Sequence, residues 1–139
     1  MNKVVYHSRS GNTRKIATAI ARGAGANAES IKRFDASEDA DILFIGASLY
    51  VGSIDSNMRT FLSNLNPERV KKAVVFGTGA GKKSALAEIK SILEPKGIIV
   101  SEDFFHCNGS FLFSHKGRPN ADDLRAAEDF AIRICEEYN

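Results

Sequence analysis

The chain of 139 residues has no tryptophan, two cysteines, three prolines and no long apolar run. Each shortage excludes something. No apolar stretch approaches the roughly 20 residues that a membrane-spanning helix needs. The N-terminus enters an apolar strand at once, without the basic segment and apolar core of a secretory leader. Cys107 and Cys135 lie far apart and do not form a metal-type pair, so they read as reduced thiols of a cytoplasmic protein. His7, His106 and His115 share no metal-ligand spacing. The net charge is +2 and no Lys/Arg run exceeds two residues, which gives nucleic acid no electrostatic footprint. With 43% hydrophobic residues at this length, the composition suits one soluble domain, 1–139, with one sizeable core.

Apolar runs alternate with helical patterns along the whole chain. Strands are expected at Asn2 to His7, Ala28 to Phe34, Ile42 to Ala47, Lys72 to Gly77 and Ile98 to Cys107. Helices are expected at Thr13 to Gly25, Asp55 to Leu65, Lys83 to Leu93 and Ala121 to Glu137. Asp55 or Ser56 caps the second helix, and Met58, Phe61, Leu62 and Leu65 form its buried stripe. Pro67, Pro95 and Pro119 stand at element boundaries. Strict strand–helix alternation predicts an α/β fold, a parallel sheet with helices on both faces.

In such sheets ligands bind at the carboxyl ends of the strands, where the strand order reverses. The loops after the first, third and fourth strands are therefore read together. Ser8-Arg9-Ser10-Gly11-Asn12-Thr13 stands between a strand and the start of a helix. Backbone N–H groups and the helix dipole favour an anion there, three hydroxyls add donors, and Gly11 permits close backbone approach. The other two loops, Ser48 to Asp55 and Thr78 to Lys83, are also small, polar and glycine-containing.

The three loops resemble those of the flavodoxin family. Its phosphate loop has the form S/T-x-S/T-G-N-T, which residues 8–13 match in full. Ile45-Gly46-Ala47-Ser48-Leu49-Tyr50-Val51-Gly52 looks like the second flavin loop, and Gly77-Thr78-Gly79-Ala80-Gly81 like the third. The resemblance runs the length of the chain. It implies a flavodoxin-like three-layer sandwich, a five-stranded parallel sheet of order 2-1-3-4-5 and non-covalently bound FMN. The implied cofactor residues are Ser8, Arg9, Ser10, Gly11, Asn12 and Thr13; Ser48, Leu49, Tyr50, Val51 and Gly52; and Thr78, Gly79, Ala80 and Gly81. Tyr50 is the candidate for stacking on the flavin. Gly52 is the candidate for a peptide that rotates as the flavin gains a proton. Flavodoxins often place acidic residues and an aromatic ring in the third loop. Here that loop has no aromatic and is followed by Lys82 and Lys83.

Other phosphate-binding families fail on specific positions. A Walker A loop around Gly81-Lys82 needs glycine where Phe76 stands and serine or threonine where Lys83 stands. A small phosphatase needs a cysteine in the first loop, which has none. A receiver domain needs an aspartate where Ala47 and Ser48 stand, and G-x-G-x-x-G is missing after the first strand. Two functions stay open. One is an electron carrier between an electron-donating reductase and an electron-accepting enzyme, such as a tetrapyrrole or other dedicated reductase. The other is a flavin-dependent oxidoreductase acting on a small molecule. The second loop, with Arg59-Thr60-Phe61 after it, resembles flavodoxin-like protoporphyrinogen oxidases. Phe111, Leu112 and Phe113 offer an apolar loop to a partner or substrate, or fold back into the core.

Overall fold

The computed structural model describes residues 1–7, 11–50, 53–78, 85–107 and 119–138, with Tyr50 described by its backbone alone. Among the described residues six strands and four α-helices follow in the order β1 (Asn2–Tyr6), α1 (Asn12–Ala24), β2 (Ala28–Ser30), β3 (Ala40–Tyr50), β4 (Ser53–Ile54), α2 (Ser56–Ser63), β5 (Val70–Thr78), α3 (Leu86–Leu93), β6 (Ile99–Cys107) and α4 (Ala121–Tyr138). The main sheet runs β2-β1-β3-β5-β6, and all its pairings are parallel. Counting those five strands alone gives the expected order 2-1-3-4-5. The two-residue β4 is an addition. It pairs antiparallel with the end of β3, Leu49 opposite Ile54 and Tyr50 opposite Ser53.

Period-two alternation along the strands divides the core into two layers. Val5, Leu43, Ile45, Ala73 and Val75 face one side, where Met58, Leu62, Ile89 and Leu93 of α2 and α3 cover them. Val4, Ile42, Phe44, Val74 and Phe76 face the other side, under Ile16, Ile20, Phe130 and Ile134 of α1 and α4. Phe44 and Phe76 are wholly buried, and burial of each such ring stabilises the fold by about 1.5–3 kcal/mol.

Helix ends follow their local chemistry. Gly25, at φ 66°, ends α1 in the left-handed conformation, with its N–H on the Ala21 carbonyl. The Asp55 carboxylate caps α2 by accepting from the Asn57 N–H at 2.8 Å. A reciprocal pair starts α4: Asn120 Oδ1 accepts from the Asp123 N–H, and Asp123 Oδ2 from the Asn120 N–H. α4 packs on α1 at Gly23, where an added Cβ would stand 2.4 Å from the Glu128 carbonyl oxygen.

Two strands differ most in length from the sequence expectation. β2 stops at Ser30, because the chain turns there and the Arg33 and Phe34 N–H groups bond the Ser30 carbonyl. β3 runs to Tyr50 rather than stopping at Ala47, since its last residues pair with β5 and β4. On the edge strand β6, the three residues between Val100 and Phe104 stand against the single residue between Ala73 and Val75. That bulge interrupts the ladder of an edge that would otherwise invite another strand.

Candidate functional site

The order β2-β1-β3 reverses the direction of winding between β1 and β3, and it is outside the carboxyl ends of the strands at such a switch point that sheets of this kind bind ligands. Gly11, directly before α1, adopts φ 87°. A Cβ at Gly11 would meet nothing within 4 Å, so glycine is required for its backbone angle and not for space. The N-cap position of α1 is Gly11, which brings no side chain, and the first turn holds no acidic residue. A helix start of this kind directs its N–H groups and dipole at whatever stands before it. Asn12 and Thr13 are buried in this first turn.

Three of the expected residues meet. Thr13 Oγ1 lies 2.8 Å from Thr78 Oγ1 and also hydrogen-bonds Ser48 Oγ; Ser48 Oγ is 3.2 Å from Thr78 Oγ1. Each hydroxyl is both donor and acceptor, so a closed triangle can satisfy all three in a place sealed from water. The triangle ties the start of α1, the end of β3 and the end of β5 to one another, and with them the roots of all three loops. Close backbone approach supports the same region. A Cβ on Gly77 would stand 2.2 Å from the Ala47 carbonyl oxygen, and one on Gly46 would enter the Phe76 ring. Leu49 is half-buried against the α2–α3 layer.

Ser8, Arg9, Ser10, Val51, Gly52, Gly79, Ala80 and Gly81 lie outside the described residues, as do Lys82, Lys83, the segment Phe111–Phe113 and the side chain of Tyr50.

Sequence reasoning missed two contacts near the carboxyl ends of β1 and β3. His7, directly after β1, donates its backbone N–H to Gly46 O at 3.1 Å and sets Nε2 3.6 Å from Asp55 Oδ1. The second is a clamp on β4. Glu88 of α3 accepts from the Ile54 N–H at 3.0 Å, from Ser53 Oγ at 3.3 Å and from Arg59 Nε at 2.7 Å. Arg59 also donates to Ser53 Oγ. Partial burial pushes the Glu88 carboxyl up, but the Arg59 hydrogen bond, the Ile54 N–H, the Arg59 charge and the Ser53 hydroxyl together outweigh it and hold the group below the ordinary glutamate range. These partners lie 29 to 35 residues apart in sequence, so no local spacing announces them.

Residues 3–97 match the flavodoxin domain family. The chain belongs to the flavodoxin family. FMN is the cofactor of these flavodoxins, and electron transfer through a bound flavin is their work. A glycine-led, acid-free helix start fits the phosphate of that cofactor, because a phosphate needs converging donors and is repelled by carboxylates. A flavodoxin from the domain Archaea superposes with a TM-score of 0.82 at 22% identity, covering 99% of this chain and 97% of its own. Flavodoxin 2 from Bacillus cereus gives 0.70 at 20% identity, with 97% of each chain covered. Rubredoxin oxygen:oxidoreductase from Desulfovibrio gigas gives 0.69 at 18% identity over 99% of this chain, which matches only 37% of that longer protein. No curated protein matches the chain in sequence. Among the described residues no cluster of His, Cys, Asp or Glu suits a metal ion, and no helix is long and apolar enough to cross a membrane.

Proposed function

We propose that this flavodoxin holds FMN in the crevice formed by residues 8–13, 48–52 and 78–81, and carries electrons from a reductase to a partner redox enzyme in the reducing cytoplasm. The observation that carries the reading is the buried hydroxyl triangle of Thr13, Ser48 and Thr78. It joins the roots of the three loops and so fixes them relative to one another. Ser8, Arg9, Ser10, Gly11, Asn12 and Thr13 would hold the phosphate, through backbone N–H groups, hydroxyls and the α1 dipole. Ser48, Leu49, Tyr50, Val51 and Gly52 would flank one edge of the ring system, and Thr78, Gly79, Ala80 and Gly81 the other. Bound FMN supplies one- and two-electron redox chemistry, and the protein tunes it by hydrogen bonds and nearby charge. Backbone N–H groups after Thr78 would stabilise negative charge on the reduced ring, as any donors aimed at a developing anion do.

The test is retention of flavin. The protein is mixed with FMN or with riboflavin, desalted, and its visible spectrum recorded. The expected result is a retained band with FMN and a far weaker one with riboflavin, which lacks the phosphate. Retention of neither refutes the site. A holoprotein reduced by a flavin reductase and reoxidised by a haem protein behaves as a carrier. Oxidation of protoporphyrinogen without any protein partner would instead establish the oxidoreductase reading, whose sequence support is the run Ile45 to Leu49 with Arg59 and Phe61 after it.

A further inference from the structure

The β3–β4 hairpin consists of two residue pairs, Leu49 with Ile54 and Tyr50 with Ser53. So short a ribbon has little stability of its own. β4 pairs with β3 and, among the described residues, with no strand on its outer side. On the outside of β4 stands the carboxylate of Glu88. It takes the backbone N–H of Ile54, the hydroxyl of Ser53 and the Nε of Arg59, so β4, α2 and α3 converge on one side chain. Arg59 closes the group by donating to Ser53 Oγ as well. The Glu88 side chain is about a quarter exposed (27%) and that of Arg59 nearly half (45%). An exposed ion pair alone contributes little. A carboxylate that also accepts a backbone N–H fixes the path of the chain, because that donor has no freedom to swing away.

The partners of Glu88 are selective. Among the described residues all belong to the second loop's return strand or to the helix that follows it, and none to residues 11–13. Glu88 itself rides on the helix that follows the third loop. One carboxylate thus ties the return strand of the second loop to the helix that follows the third.

We propose that Glu88 is a positioning residue which holds the β3–β4 hairpin in register with α3, and thereby sets how tightly the site grips the flavin ring as distinct from the phosphate. The inference rests on the FMN site proposed above. It requires loss of Glu88 to weaken FMN and riboflavin by the same factor, leaving the ratio of their dissociation constants unchanged. A charge-assisted hydrogen bond to a backbone donor corresponds to about a tenfold effect or more.

The experiment compares wild type, Glu88→Ala and Glu88→Gln. Hydrogen exchange of the Ile54 amide is measured in flavin-free protein, and the dissociation constants of FMN and riboflavin by fluorescence quenching. The expected result for Glu88→Ala is about tenfold faster Ile54 exchange and about tenfold weaker binding of both flavins. Glu88→Gln keeps an acceptor for the Ile54 N–H but not the charge facing Arg59, so it falls between. It also carries the same readouts if Glu88→Ala does not fold. Wild-type affinity in both variants overturns the role of Glu88. So does a loss confined to FMN, since that would put the effect at the phosphate. Wild-type protein that retains no FMN overturns the flavin site itself, and this inference with it.

Discussion

Replacing Thr13 by valine removes two of the three bonds in the hydroxyl triangle and changes little else. Valine has the same shape as threonine, and Thr13 is completely buried, so packing is kept while Oγ1 is lost. At about 0.5–1.5 kcal/mol net for each hydrogen bond, Thr13→Val costs about 1–3 kcal/mol. With a urea m-value of about 2 kcal/mol/M, the unfolding midpoint of the flavin-free protein falls by about 1 M at the centre of that range. The sharper test is the series that follows. Thr13→Val with Thr78→Val takes both hydroxyl partners from Ser48 and leaves its buried oxygen to bear a desolvation penalty of about 1–3 kcal/mol. Adding Ser48→Ala removes that oxygen, so the triple variant should be more stable than the double. A stranded polar group is worse than none. The reasoning is refuted if Thr13→Val unfolds at the wild-type urea concentration, or if Ser48→Ala destabilises the double variant further.

Four other perturbations have defined outcomes. Gly11→Ala forces an L-residue to φ 87° with no neighbour to strike, so it costs about 1–2 kcal/mol of stability by backbone strain alone; Gly77→Ala drives a Cβ onto the Ala47 backbone oxygen and costs about 1–3 kcal/mol or more, because a paired strand cannot step aside. Thermal melts of both variants check the values. The Glu88 carboxyl is held below the ordinary glutamate range, so its stabilising contribution is complete above the unfolded-state value and disappears as pH falls through the lower folded-state value. The stability gap between wild type and Glu88→Gln should therefore be constant near neutrality and close on acidification, as urea titrations at successive pH values would register. Lys82 and Lys83 should favour the anionic reduced flavin, so replacing both by glutamine should lower the reduction potential of bound FMN; an unchanged potential on dye equilibration would remove them from the site.

The parallel sheet was legible because its strands are buried on both faces and so read as unbroken apolar runs, such as Ile42 to Ala47. β4 was not legible, since two residues carry no periodicity; Ser53 and Ile54 become a strand only because the end of β3 lies beside them. Ala28 to Phe34 reads as one strand, yet a local turn at Ser30 competes with pairing and wins. In the site, Thr13, Ser48 and Thr78 were each named by their loop motif. Their mutual bonds, which span 30 to 65 residues, appear only in three dimensions. Glu88 and Arg59 read as ordinary helix-surface charges, and nothing within either helix marks them as partners.

The contact of α4 with α1 through Gly23 bears on the order in which the molecule can be assembled. α1, which begins at the candidate phosphate loop, is synthesised well before α4, whose Ala127, Phe130, Ala131 and Ile134 pack in the same core layer. Until those residues dock, Ile16, Ala17 and Ile20 have only part of their packing surface. Firm FMN binding is therefore expected to follow the docking of α4 and not the emergence of the loop that would recognise the phosphate.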